Sequence, residues 1–149
     1  MRLRNTLVAL SALFTLAYTE SVRIQNHLSY PIWTTQVTAD GSRGDTQFVD
    51  AYSFLDIEQS DAYGVAIKIT PEEEDIDTAG KGVLILGYNK HPDGWIYYDL
   101  GVHLYYPFPG VGVKLVGPGG DNDWSDGQAH PQNTKGYHGP GDLWLDIGY

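Results

Sequence analysis

Short runs of β-branched and aromatic residues, separated by clusters of Gly, Pro and Asp, constrain the fold of this chain most strongly. Helical periodicity is nearly absent after residue 21, whereas a period of two recurs in these runs. Eight such segments in one domain predict an all-β, antiparallel sandwich. The predicted strands are Val22 to Asn26, Pro31 to Thr38, Gln47 to Glu58, Tyr63 to Thr70, Gly82 to Tyr88, Trp95 to Leu100, Val111 to Val116 and Leu143 to Ile147.

The N-terminus has the pattern of a secretory signal peptide. Arg2 and Arg4 form a basic start, and the apolar run Leu7 to Leu16 follows. This run has signal-peptide length and is too short to cross a bilayer. A buried N-terminal helix is the alternative, but the run lacks an amphipathic period. We expect cleavage between Ala17 and Val22.

Residues 1–21 are therefore predicted as the signal peptide, and residues 22–149 as one secreted, extracellular domain. The chain has 9 basic and 19 acidic residues, a net charge of −10. Such a surface repels phosphate backbones and anionic lipids, so neither nucleic acid nor a membrane is an expected partner. The net negative charge does not exclude cationic proteins, divalent cations or neutral glycans as partners. Because there is no cysteine, disulfides, thiol nucleophiles and thiolate metal sites are excluded.

A hairpin is the clearest local prediction. Two strand-like runs flank the turn Pro92-Asp93-Gly94, which has the residues of a tight turn. In the second run, even-numbered positions from 96 to 100 should pack inward, while Trp95, Tyr97 and Asp99 should face the other way.

Two segments interrupt the strand pattern. Pro71 to Gly80 is highly charged and is predicted as a surface loop. Gly117 to Gly141 is rich in glycine, and Trp124 and Tyr137 are its large apolar residues. We expect this second segment to be an irregular C-terminal arm that is mobile unless a ligand or an ion fixes it.

Several stretches, in this order, resemble the Blastomyces yeast-phase-specific (Bys) family of secreted fungal proteins. They are Val22–Asn26, Tyr30–Trp33, Gly64–Ile69, Val83–Tyr88, Asp93–Leu100, Pro107–Phe108, Val113–Val116 and Trp124–Gly127. The resemblance implies a secreted β-sandwich, thaumatin-like in overall plan. It also implies no established enzymatic activity and an association with cell surfaces or host contact. The chain departs from the family where cysteines are expected, near Leu28 and in the arm.

Acidic residues offer two kinds of chemistry. Paired carboxylates could hydrolyse a glycosidic bond, although chance pairs are expected on so acidic a surface. The candidates are Asp50, Asp56, Glu58, Asp61, Asp93 and Asp99. Asp99 stands apart because Asp is disfavoured inside a strand.

Asp121, Asp123 and Asp126 place oxygen ligands in a short turn, which suits calcium. A polar turn without a metal is the alternative, since the segment departs from the EF-hand spacing. No resident cofactor is expected.

Aromatic residues carry the functional hypothesis. We expect Trp95 or Tyr97, and Trp124 on the arm, to be the most exposed of the aromatic residues, and to bind a ligand together with Asp93 and Asp99. Exposed rings beside carboxylates suit sugar rings and protein hot spots alike. The predicted function is a secreted fungal binding or effector-like protein that recognises a cell-wall glycan or a host protein without catalysis. The alternatives are a glucan-active glycoside hydrolase and a structural cell-wall protein.

Overall fold

The computed structural model describes residues 19–149, so most of the predicted signal peptide lies outside the described residues. The all-β prediction is confirmed, since this part of the chain forms eleven strands. They are β1 (Ser21–Asn26), β2 (Ile32–Val37), β3 (Gln47–Val49), β4 (Phe54–Glu58), β5 (Val65–Thr70), β6 (Val83–Lys90), β7 (Trp95–His103), β8 (Val113–Val116), β9 (Asn122–Trp124), β10 (Lys135–His138) and β11 (Leu143–Ile147). Within residues 19–149, no helix has the length and apolar character needed to span a membrane.

The strands form two sheets. One has five strands in the order β4-β1-β11-β8-β9, and the other has six in the order β10-β7-β6-β5-β2-β3. Strand pairs are antiparallel except for β1 and β11, which run parallel with Val22 opposite Leu143. The thaumatin-like plan stays a prediction.

One core lies between the two sheets. In β1, alternate residues from Val22 to Asn26 are buried, as the period of a half-buried strand requires. Ile24 and Leu145 of the five-stranded sheet belong to the same buried cluster as Leu86 and Leu100 of the six-stranded sheet. The outer face of the six-stranded sheet is therefore free to carry polar and exposed side chains.

The predicted strand Gln47 to Glu58 is divided. Its two halves, β3 and β4, lie at the edges of different sheets. The turn between them contains Tyr52 with a φ of 55°, a conformation that a continuous strand does not allow.

The prediction of an irregular arm at residues 117–141 is wrong, because β9 and β10 lie within it. Strand β9 pairs with β8, and β10 pairs with β7. The buried Tyr98 hydroxyl donates to the Gly120 carbonyl oxygen at 2.5 Å and accepts from the Gly119 N–H at 3.1 Å. Backbone pairing and this phenol hold the segment against the sheets.

The charged segment 71–80 lies at the surface, as predicted, but it is anchored. A 3-10 helix at Glu73–Ile76 buries Ile76. Lys81 pairs with Asp75 at 2.9 Å, and Arg43 pairs with Asp77 at 2.6 Å. The two ion pairs hold the C-terminal end of the short helix, on either side of Ile76.

Candidate functional site

The outer face of β7 presents two aromatic rings. Trp95 is 40% exposed and Tyr97 is 43% exposed, while the residues between and after them are buried, as the alternation predicts. Their ring centroids lie 5.9 Å apart, and the ring planes differ by only 13°. The His138 ring meets Trp95 edge-on at 5.8 Å. Both side chains are exposed, but the prediction that one of them would be the most exposed aromatic residue is wrong, because Tyr63 is 72% exposed.

Glycines on the two neighbouring strands leave space for the side chains of Tyr97 and Asp99. Gly136 of β10 lies opposite Tyr97, and a β-carbon at position 136 would lie only 2.9 and 3.0 Å from ring carbons of Tyr97. Gly87 of β6 lies opposite Asp99, where a β-carbon would lie 3.2 Å from Oδ1 of the carboxyl group. Glycine inside a strand often marks such a close approach.

A groove of about 380 Å³ opens next to Tyr97 on this face. Its volume falls within the range of small-molecule sites. We call it the Asp99 groove; the side chains that matter for its chemistry are Tyr63, Asn89, Tyr97, Asp99 and Thr134. The Asn89 side-chain oxygen accepts from the Gly64 N–H at 2.9 Å, which fixes the amide in the groove.

Asp99 is the half-buried acid of the groove. Burial raises the pKa of its carboxyl group, because desolvation disfavours the charged form. The Thr134 hydroxyl donates to Oδ2 at 3.0 Å and opposes this rise in pKa. Asp99 is the one carboxyl group among the described residues that line the groove. The groove can therefore accept hydrogen bonds, but it does not assemble a carboxylate pair.

Asp93 lies in the hairpin turn and not in the groove. Its Oδ1 accepts from His91 Nδ1 at 2.8 Å and from the Trp95 N–H at 3.2 Å. These hydrogen bonds, that from His91 first, lower the pKa of Asp93. The backbone oxygen of Asp93 accepts from His138 Nε2 at 3.0 Å. Asp93 thus shapes the predicted turn and positions Trp95 instead of contacting a ligand in the groove.

The prediction that Trp124 is exposed is wrong, since this side chain is only 3% exposed. It lies in β9 opposite Val113 of β8, facing the core. The Tyr106 ring packs edge-on against it at 5.9 Å. The pairing of β9 with β8 turns the Trp124 side chain toward the core. Trp124 therefore stabilises the fold and is not available to contact a ligand.

The predicted calcium site at Asp121, Asp123 and Asp126 is not assembled. Lys114 Nζ lies 3.0 Å from an oxygen of Asp121 and 3.9 Å from one of Asp123, so a lysine already stands between them. Asp126 instead pairs with His130 at 2.9 Å. Across residues 19–149, no group of three or more His, Cys, Asp or Glu side chains is arranged to hold a metal ion.

Four contributors to the groove were not predicted from the sequence: Tyr63, Asn89, Thr134 and Gly87. Gly87 did carry a signal, because a glycine inside the apolar run of β6 indicates a close approach. Thr134 carried none, since it reaches Asp99 from a segment 35 residues later in the chain.

Comparison with known proteins agrees with the resemblance. The family model described as Blastomyces yeast-phase-specific protein matches residues 9–147. The crystal structure of the protein elicitor MoHrip2 from Magnaporthe oryzae is similar, with a TM-score of 0.74 and 16% sequence identity. The match covers 87% of this chain and 99% of that one, and at this identity it shows a common fold. Comparison with the curated proteins gives no match. Since the family model spans nearly all of the described residues, the chain belongs to the Blastomyces yeast-phase-specific protein family.

Proposed function

We propose that this protein is a secreted, effector-like fungal protein that binds a cell-wall glycan in the Asp99 groove without catalysis. The observation that carries the proposal is the exposed, parallel pair of Trp95 and Tyr97 beside a groove that holds a carboxyl group. Membership of a fungal family and the fold shared with a protein elicitor support the effector-like part.

The groove offers a sugar both kinds of contact that it needs. The C–H face of a pyranose ring packs on an aromatic face such as that of Tyr97. Sugar hydroxyl groups donate to the Asp99 carboxyl group, and the Thr134 hydroxyl and the Asn89 amide lie along the same groove. A neutral glycan is also not repelled by the net negative charge of the protein.

The size of the site favours a glycan over a host protein. A groove of about 380 Å³ matches a small ligand. A stable protein interface buries about 800 Å² on each partner, far more than the exposed surface of the residues that line this groove. Glycoside hydrolysis requires two carboxyl groups placed across the scissile bond, and the groove supplies Asp99 alone among the described residues.

Retention on insoluble β-glucan, chitin and cellulose tests the proposal. Tyr97→Ala or Trp95→Ala should weaken retention by about 1–3 kcal/mol, the range of interface hot spots. Asp99→Asn should weaken it less, because an amide still hydrogen-bonds a hydroxyl group. Trp144→Ala is the matched control, since Trp144 is 51% exposed but lies on the five-stranded sheet, in β11.

Release of reducing sugar is measured on the same samples. If the wild-type protein is retained on none of the three polymers, the glycan proposal fails and a host protein becomes the better candidate. If sugar is released and the release stops in Asp99→Asn while retention persists, the protein is a hydrolase.

A further inference from the structure

A second cavity, of about 400 Å³, lies on the outer face of the six-stranded sheet beneath the charged segment 71–81. We call it the Lys68 pocket. Its floor comes from β5, β6 and β7, where Lys68 lies opposite Ile85 and Val83 lies opposite His103. Its wall comes from residues 76–81.

Lys68 differs from most basic side chains of this protein because no acidic side chain pairs with it. Among residues 19–149, Lys68 and Lys135 are the two lysine or arginine residues without such an ion pair. The others pair as Arg23–Asp56, Arg43–Asp77, Lys81–Asp75, Lys90–Glu20 and Lys114–Asp121. Lys68 is also half-buried and lines the pocket. None of the 19 acidic residues forms an ion pair with Lys68; the acidic residue that lines the pocket, Asp77, pairs with Arg43.

The wall of the pocket is fixed before any ligand arrives. Ile76 is buried against the sheet, and the ion pairs of Asp75 and Asp77 hold the residues on either side of it. The Thr78 hydroxyl donates to the Glu74 carbonyl oxygen at 2.7 Å, which tightens the turn that follows. A preformed wall removes much of the ordering cost of binding.

We propose that the Lys68 pocket binds a small monocarboxylic acid, with its carboxylate on the Lys68 ammonium group and its apolar body on Ile76, Val83 and Ile85. An ammonium group binds a carboxylate as a compact point charge through charge-assisted hydrogen bonds. The three aliphatic side chains suit a hydrocarbon body and offer nothing to a bare inorganic anion. Asp77 and Lys81 also line the cavity, but they pair with Arg43 and Asp75, so Lys68 is the lysine of the lining that is left without an ion pair. This site is separate from the Asp99 groove and does not depend on glycan binding.

Calorimetric titration with 4-phenylbutyrate tests the proposal, with 4-phenylbutanol as the neutral probe of the same shape. Lys68→Met keeps the apolar stem and removes the charge, and Lys68→Arg keeps the charge. Lys135→Met is the matched control, because it removes the other lysine without an ion pair. We expect Lys68→Met to weaken 4-phenylbutyrate binding about tenfold or more, the value of a charged hydrogen bond. Lys68→Arg and Lys135→Met should bind it nearly as well as the wild-type protein.

Three results would overturn the proposal. One is the absence of 4-phenylbutyrate binding to the wild-type protein. Another is equal affinity of 4-phenylbutyrate for the wild-type protein and Lys68→Met. The third is inorganic phosphate binding as tightly as the carboxylate. Retention of Lys68→Met on glycan, measured alongside, separates this site from the Asp99 groove, since that retention should be unchanged.

Discussion

Replacing Tyr98 with phenylalanine should loosen the segment 117–141 and lower the free energy of unfolding by about 2 kcal/mol. The Tyr98 hydroxyl group makes two hydrogen bonds to this segment, donating to the Gly120 oxygen and accepting from the Gly119 N–H. Each such bond contributes about 1 kcal/mol net. No further penalty for an unpaired buried group is added, because residues 119 and 120 are exposed and water can replace the lost partner. The melting temperature should fall by about 6–8 °C for a domain of this size.

Tyr137→Phe is the matched control, because it removes a phenol that also bonds to a backbone carbonyl. The Tyr137 hydroxyl donates to the Gly141 oxygen at 2.7 Å, but the Gln59 side-chain amide donates to the same oxygen at 2.9 Å. That carbonyl keeps a partner in the variant, so the loss of unfolding free energy should stay below about 1 kcal/mol. Urea unfolding followed by tryptophan fluorescence measures both variants, and hydrogen exchange at the Gly119 amide reports the local loosening. If Tyr98→Phe costs no more than Tyr137→Phe, or if exchange at Gly119 is unchanged, the phenol does not anchor the segment.

Two further predictions concern Asp99 and the N-terminus. Burial raises the pKa of Asp99 in the folded protein above the value of 3.8 that applies to the unfolded chain. The folded protein therefore binds a proton at Asp99 more tightly than the unfolded chain does. The stability that this proton gives is present below pH 3.8 and is lost as pH rises through the raised pKa. Urea unfolding between pH 4 and 7 should therefore show that the free energy of unfolding of Asp99→Asn increases relative to that of the wild-type protein as pH rises. A difference between the two proteins that is constant with pH would contradict this. The contacts of Glu20 favour a mature chain that begins at or before Glu20, earlier than the start at residue 22 predicted from the sequence, because the Glu20 carboxylate lies 2.7 Å from Lys90 Nζ and accepts from the Gly141 N–H at 3.0 Å. Intact-mass analysis that finds a first residue after Glu20 would show that this contact is dispensable.

The sequence predicted features that depend on neighbouring residues. Trp95, Tyr97 and Asp99 were assigned to one face correctly because side chains alternate along any strand. The division of Gln47 to Glu58 was missed because both halves have strand-forming residues, and only the left-handed backbone of Tyr52 separates them.

Features that depend on distant pairing were not predictable. Trp124 was expected to be exposed because its glycine-rich surroundings look irregular, but pairing with β8 buries it. The oxygen-rich turn at Asp121 and Asp123 resembled a cation site because the sequence does not reveal that Lys114 of the adjacent strand lies between them. The same limit hid Thr134, which completes the Asp99 groove from far along the chain.

The parallel pairing of β1 with β11 also sets the order in which the protein can fold. These strands lie at opposite ends of the domain sequence but are neighbours inside the five-stranded sheet. Until residues 143–147 have been synthesised, β1 lacks one of its two partners, and so does β8. Contacts of such large sequence separation fold slowly. The five-stranded sheet should therefore stay incomplete until the last strand has been synthesised, so the core between the two sheets can close only once the whole domain has been made.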